Sequence, residues 1–162
     1  MSFFGRALLL VALAVAVFTV IAAVRGGTPR NRAWFFAAQR GVYALFGIFT
    51  VAVVGLVSAL IGNNFSLVAV ANYSSTEMPL HLRITALWAS QSGSLLFWAW
   101  LLTGFASLAV FLNRRRNREL MPVVIAVLAG LIGFFALILS FVSSPFDTMR
   151  VVPENGQGLV SA

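Results

Sequence analysis

Cysteine is absent from the 162 residues, and so is lysine. The first absence excludes a disulfide framework and any thiolate metal site, and it leaves the redox compartment unread. Charge of either sign is scarce: 9% of the residues are charged and 60% are hydrophobic, which does not describe a water-soluble fold. The carboxylates Glu77, Glu119, Asp147 and Glu154 are scattered too widely for a paired acid–base site. There is no nucleophile–base pair and no glycine-rich phosphate loop. No internal repeat or low-complexity tract is present. The chain therefore shows no catalytic apparatus of its own, and no cluster with metal-ligand spacing.

What is present is apolar length. Four stretches are long enough to cross a hydrocarbon core of about 30 Å as helices, which takes roughly 20 residues. They run over residues 7–24, 41–61, 95–112 and 121–142. In lipid each must satisfy its own backbone hydrogen bonds, so the fold class is all-α, a single polytopic membrane domain over residues 1–162. Pro122 falls in the first turn of the fourth span, where a missing N–H costs little. The first span resembles a signal sequence in having Arg6 before it and Ala22 and Ala23 near its end. Its apolar core is longer than a signal h-region and arginines follow it at once, so it reads as a retained helix. None of the spans carries Asp, Glu, Lys, Arg or His, which argues against an ion channel or pump.

The net charge of +7 is carried by arginine. Arg25, Arg30, Arg32 and Arg40 sit between the first two spans, and Arg114, Arg115, Arg116 and Arg118 between the last two. Blocks placed between apolar runs indicate membrane topology and not a nucleic-acid surface. The positive-inside rule puts both blocks in the cytoplasm of a bacterial-type inner (plasma) membrane. Both termini, the loop 62–94 and the tail 143–162 then face outward.

The outward loop is the informative part. Gly62–Asn64 is turn-prone, and Pro79 reads as the first residue of a helix helped by Thr76 and Glu77. Leu80, Ile84, Leu87, Trp88 and Gln91 recur at three and four residues, with His81, Arg83 and Thr85 around the other side. That pattern predicts an interfacial helix, apolar face down, leading into the third span. Trp88, Trp98 and Trp100 are expected at the outer boundary, where indole rings form an aromatic belt. The same rings could pave a wall for a large flat ligand. His81 can ligate haem iron or another metal in principle, but a lone histidine in a wet loop is first of all a polar surface residue.

The loop also carries a resemblance. Asn64-Phe65-Ser66, Val68-Ala69-Val70-Ala71-Asn72, Ser74-Ser75 and Met78-Pro79 lead into Leu87-Trp88-Ala89-Ser90-Gln91-Ser92-Gly93-Ser94-Leu95-Leu96-Phe97-Trp98. This order is similar to the start of the CcmF-type cytochrome c haem lyases and their relatives in nitrite reductase assembly. Ser144-Pro145-Phe146 and Pro153-Glu154-Asn155-Gly156-Gln157-Gly158-Leu159 resemble motifs that follow the family's fourth helix. The sequence departs from the pattern at Asn64, Leu82 and Ser92, where the family has mostly Asp, Tyr and Glu.

The resemblance covers roughly the family's first quarter. It implies a split subunit or a truncated product ending at Ala162, with the tryptophan-rich haem-binding segment and the haem-associated histidines elsewhere. The implied activity is haem delivery and attachment to apocytochrome c on the outer face. The implied cofactor is haem, held mainly by the remaining part of the haem lyase. The implied partners are that remainder, a haem chaperone, the apocytochrome c machinery and membrane lipid. Trp88, Gln91, Gly93, Ser94 and Trp98 are the implied neighbours of the haem site. Gly93 and Ser94 would permit close approach of another segment, and Gln91 could bond a backbone group or a propionate. The alternatives are that these residues only dock the third span, and that the chain is a small structural subunit of a transporter or respiratory complex, or a non-functional fragment.

Overall fold

The computed structural model describes residues 2–27, 32–113, 119–149, 151–153 and 155–158. Arg30, the block Arg114, Arg115, Arg116 and Arg118, and the tail residues Glu154, Leu159 and Ala162 lie outside the described residues. Among the described residues six helices follow in order: α1 (Ser2–Gly26), α2 (Arg32–Ile61), α3 (Val68–Tyr73), α4 (Leu80–Ala89), α5 (Gln91–Asn113) and α6 (Met121–Phe141). Four of them, α1, α2, α5 and α6, are long and apolar enough to cross a membrane. They form an antiparallel bundle in which α1 packs between α2 and α6, and α5 closes the ring against the same two helices.

The helices outrun the apolar stretches that announce them. α2 begins nine residues before the uninterrupted run at Gly41, so Trp34, Gln39 and Arg40 are helical. At 30 residues it is about 45 Å long, which matches a bilayer with its headgroup regions. An aromatic and basic first turn is suited to that boundary: the Arg25 guanidinium lies 5.0 Å from the centre of the Trp34 ring.

Small residues bring the spans together. Ala12 and Ala16 of α1, Ala38 and Ala52 of α2, Ala99 and Ala106 of α5, and Ala129 and Ala136 of α6 are all buried. Close helix approach through such side chains is how association is achieved where the solvent is itself apolar. The tightest crossing sets Gly41 against Thr19: a Cβ on Gly41 would stand 2.1 Å from Thr19 Oγ1. The Thr19 hydroxyl, fully buried, donates to the Val15 carbonyl at 2.6 Å. Only 28–39% of each span is buried inside the bundle, so the remaining apolar faces meet lipid or further helices.

Residues 62–90, 143–149, 151–153 and 155–158 build a layer over the end of the bundle where α2 and α6 finish and α1 and α5 start. α2 ends as the turn at Gly62–Asn64 requires: Asn63 has φ 50°, a left-handed conformation that asparagine tolerates better than most residues. α3 has six residues, too few to be stable alone. Its free ends are met by the tail. The Val68 N–H donates to the Asp147 carbonyl at 2.9 Å, and the Met149 N–H to the Ser66 carbonyl at 2.9 Å. At the other end the Gln157 N–H donates to Ala71 at 2.8 Å, and the Gly158 N–H to Ser74 at 3.2 Å. Orphan helix-end groups are thus satisfied by chain some 80 residues away.

Candidate functional site

Of the residues singled out for function, His81 and Trp88 lie in this layer, and Gln91, Gly93, Ser94 and Trp98 follow it in the first turns of α5. α4 is fixed first by Arg83. Its Nε donates to the Met78 carbonyl at 2.8 Å and one terminal nitrogen to Thr76 at 2.7 Å; the other reaches the Ile61 carbonyl at 3.4 Å. One guanidinium, with its fork of five N–H donors, thereby ties α4 to the preceding turn and to the last residue of α2.

Of the expected apolar face of α4, only part is packed inside the protein. Its buried residues are Ala86 and Leu87, and Arg83 is partly buried on the same side. Trp88 is 50% exposed and Leu80 56% exposed, so neither belongs to an inward face. His81 is exposed as well, and seven residues on a helix return to nearly the same direction. His81 and Trp88 therefore share the outward face, with Ile84 and Thr85 between them. The predicted helix start also differs. Pro79 is the residue before the helix and has extended ψ, with no side-chain cap. Thr76 is held instead by the tail, its N–H and hydroxyl both donating to Asn155 Oδ1 at 3.0 and 3.1 Å. The Glu77 N–H donates to Ser75 Oγ.

α4 does not run straight into α5. Ser90 breaks the path with φ −82° and ψ 140° and serves both helices. Its N–H donates to Ala86, and its Oγ accepts the Gly93 N–H at 3.1 Å, the geometry of a serine N-cap. Gly93 is buried in this corner, and a Cβ there would fall 2.1 Å from the Leu87 carbonyl oxygen. Ser94 is half-buried, its N–H donating to Ser90 at 2.8 Å. Gln91 is exposed at the first position of α5.

The aromatic side chains form a path. Trp88 contacts Phe97 at 5.6 Å between ring centres, Phe97 contacts Trp100 at 5.9 Å, and Trp100 stacks on Phe46 of α2 at 6.4 Å. Trp98, 59% exposed, meets Phe97 edge-on at 6.3 Å. Trp88 and Trp98 therefore stand at the surface, joined through Phe97. Trp100 lies about 14 Å along α5 from its start and donates its indole N–H to Thr50 Oγ1 at 2.9 Å, inside the span.

The motifs of the tail and of the first turn prove to be lashings of the layer. Phe146 is buried against Gly5, and Arg6 forms an ion pair with Asp147. Gly156 fits where a Cβ would be 1.9 Å from the Ser74 carbonyl, and Gly158 has φ 71°. Asn64 Oδ1 accepts the Ser66 N–H and hydroxyl, a role that needs only an acceptor and so suits Asp as well as Asn. Sequence reasoning missed Ser90, Arg83 and Asn155. Ser90 had a readable signal, a serine three residues before a buried glycine at a helix start; the other two act over distances no local pattern reports.

A tetrapyrrole requires a flat apolar wall, a donor for iron and polar groups for propionates. Trp88, Phe97 and Trp98 do not form such a wall, since the Trp88 and Trp98 rings stand at 50° and 66° to the Phe97 ring between them; His81 shares a helix face with Trp88, and Gln91 is exposed at the start of α5. Among the described residues no three His, Cys, Asp or Glu side chains converge.

Against known proteins, the chain is 30% identical over 156 residues to the cytochrome c-type biogenesis protein CcmF of Haemophilus influenzae, covering 96% of this chain. The chain is homologous to the N-terminal region of CcmF proteins. The biogenesis protein NrfE of the same organism is 31% identical over 157 residues. A solved structure of the cytochrome c haem lyase CcmF superposes with a TM-score of 0.80 at 28% identity, over 92% of this chain and 25% of that one. No protein-family model matches. The chain spans about a quarter of the length of the curated relatives it matches (24%). Like the CcmF region it resembles, it is a multi-pass membrane protein.

Proposed function

We propose that this chain acts in cytochrome c maturation, as the N-terminal part or a split subunit of a CcmF-type haem lyase. Its task is to scaffold haem delivery and attachment to apocytochrome c on the outer face of the membrane. The observation that carries this reading is agreement in both sequence and fold across nearly the whole chain: 30% identity over 96% of it, and a TM-score of 0.80. The arginine distribution supports an orientation in which the layer of α3, α4 and the tail faces outward.

On this reading the exposed rings of Trp88 and Trp98, with Gln91 between them in sequence, border the haem, while Gly93 and Ser94 hold the α4–α5 corner that presents them. The remaining part of the lyase, a haem chaperone and apocytochrome c are the partners. In cells that depend on this gene, Trp88→Ala and Gln91→Ala are expected to lower holocytochrome c, measured by haem staining, at unchanged levels of this protein. Normal cytochrome c in both variants would remove these residues from the site. Normal cytochrome c after deletion of the gene would overturn the function.

A further inference from the structure

We propose that the start of α2 holds one anionic phospholipid, its phosphate on Arg40 and an acyl chain in the recess at Gly47.

Depth is the first support. The uncharged run 41–61 of α2 covers about 31 Å at 1.5 Å per residue, the thickness of the hydrocarbon core. Arg40 therefore stands at the edge of that core. Helical side chains lean toward the N-terminus, and long cationic ones snorkel. The Arg40 guanidinium thus reaches into the headgroup layer, where lipid phosphates lie. Arg32, at the first position of α2, is about 12 Å farther out along the axis. Its guanidinium lies beyond a headgroup layer about 5–7 Å deep, and hence in water.

The direction of the face is the second support. Ala38, Val42, Leu45 and Phe49 are buried against the rest of the bundle. That packing turns Phe36, Arg40, Tyr43 and Gly47 outward, and all four are exposed. They follow one another at intervals of four, three and four residues, so they line up along one side of the helix. Among the described residues Arg40 has no carboxylate partner. A cation at the lipid boundary without one draws its anion from the membrane.

Shape is the third support. A Cβ built on Gly47 would meet nothing within 4 Å, and the exposed side chains of Tyr43 and Val51 flank it one turn away on either side. Gly47 so leaves a recess in which a run of methylenes can lie against the helix backbone. Tyr43, between Arg40 and Gly47, offers its hydroxyl as a second donor to the lipid oxygens. Charge selects the headgroup. A phosphatidylglycerol-type diester keeps its negative charge for the guanidinium, whereas in phosphatidylcholine the phosphate is offset by its own ammonium.

The test uses the full chain in neutral detergent, titrated with phosphatidylglycerol and separately with phosphatidylcholine. Native mass spectrometry counts the bound lipids. Wild type is expected to hold one phosphatidylglycerol about fivefold more tightly than phosphatidylcholine, the fold-change for one arginine at an anionic surface. Arg40→Gln should erase that preference. Arg40→Lys should keep most of it, since an ammonium binds phosphate as a point charge. Arg32→Gln removes the same charge from the same helix and should leave the preference unchanged. Gly47→Leu fills the recess and should weaken phosphatidylglycerol binding at unchanged net charge. An unaltered thermal transition checks that each variant is folded. Equal losses in Arg32→Gln and Arg40→Gln would reduce the effect to diffuse attraction between charges and overturn the site. So would a wild type without preference, or a Gly47→Leu variant that binds as wild type does.

Discussion

The ring of Phe146 lies directly on Gly5, closing the first turn of α1 against the tail that follows α6. A Cβ at Gly5 would stand 2.2 Å from the ring, and Phe146 is only 4% exposed, so it has little room to retreat. Gly5→Ala is therefore expected to destabilise the protein by about 1–3 kcal/mol, as overpacking does. Thermal unfolding in detergent measures it. Replacing Phe146 by Ala as well should make the glycine change nearly neutral, and a full additive loss in the double variant would refute the contact.

Arg83 satisfies three carbonyls on two separate segments, and no smaller cation can span them. Arg83→Ala is expected to cost about 1–3 kcal/mol, the range for hydrogen bonds from a charged donor discounted for partial exposure. Arg83→Lys should recover less than half, because an ammonium is a point charge without the planar fork. Hydrogen exchange at the amides of α4 reports both. Unchanged protection in Arg83→Ala would mean that the core contacts of Ala86 and Leu87 alone hold the helix.

The Trp100–Thr50 bond crosses from α5 to α2 within the membrane-spanning region. The Thr50 hydroxyl both accepts from the indole and donates to the Phe46 carbonyl at 2.7 Å. Thr50→Val should lower stability by about 0.6–1.7 kcal/mol, the measured range for interhelical hydrogen bonds in membranes, whereas Thr50→Ser should be close to neutral. A double cycle with Trp100→Phe is the decisive measurement. Coupling near zero would show that stacking on Phe46, and not the hydrogen bond, sets the indole.

At the α4–α5 corner, Ser90→Ala removes a cap and is expected to cost about 1 kcal/mol. Gly93→Ala places a methyl group against the Leu87 carbonyl and should cost more. Both should speed hydrogen exchange in the first turn of α5 and alter the emission of Trp88. Equal, small effects would indicate a corner that can open without cost.

The layer over the bundle marks where local reading stopped. Gly62–Asn64 was legible as a turn, because glycine and asparagine carry their backbone preference with them. The existence of a helix after Pro79 was legible too. Its buried side was not: Leu80 and Trp88 are apolar, but Arg83 outweighs them by finding three backbone acceptors inward. α3 has no capping side chain and too few residues to announce itself, and it forms because tail atoms from Asp147 to Gly158 close its ends. Among the proposed site residues, Trp88, Trp98 and Gln91 could be picked out as exposed boundary residues. Trp100 could not be separated from them, since only the proximity of Thr50 turns it inward.

The sequence by itself determined the number of spans and their helical nature, because in lipid each segment must satisfy its backbone hydrogen bonds within itself. That constraint is local, and hydropathy reports it. Its arginine pattern likewise carries the expected orientation. The tertiary structure alone decided which face of α4 is buried, how the tail binds α3, and that His81 and Trp88 point the same way. Those outcomes depend on hydrogen bonds and close contacts between residues about 20 to 140 positions apart, such as Arg83 with Ile61 and Arg6 with Asp147, and no periodicity along the chain encodes them.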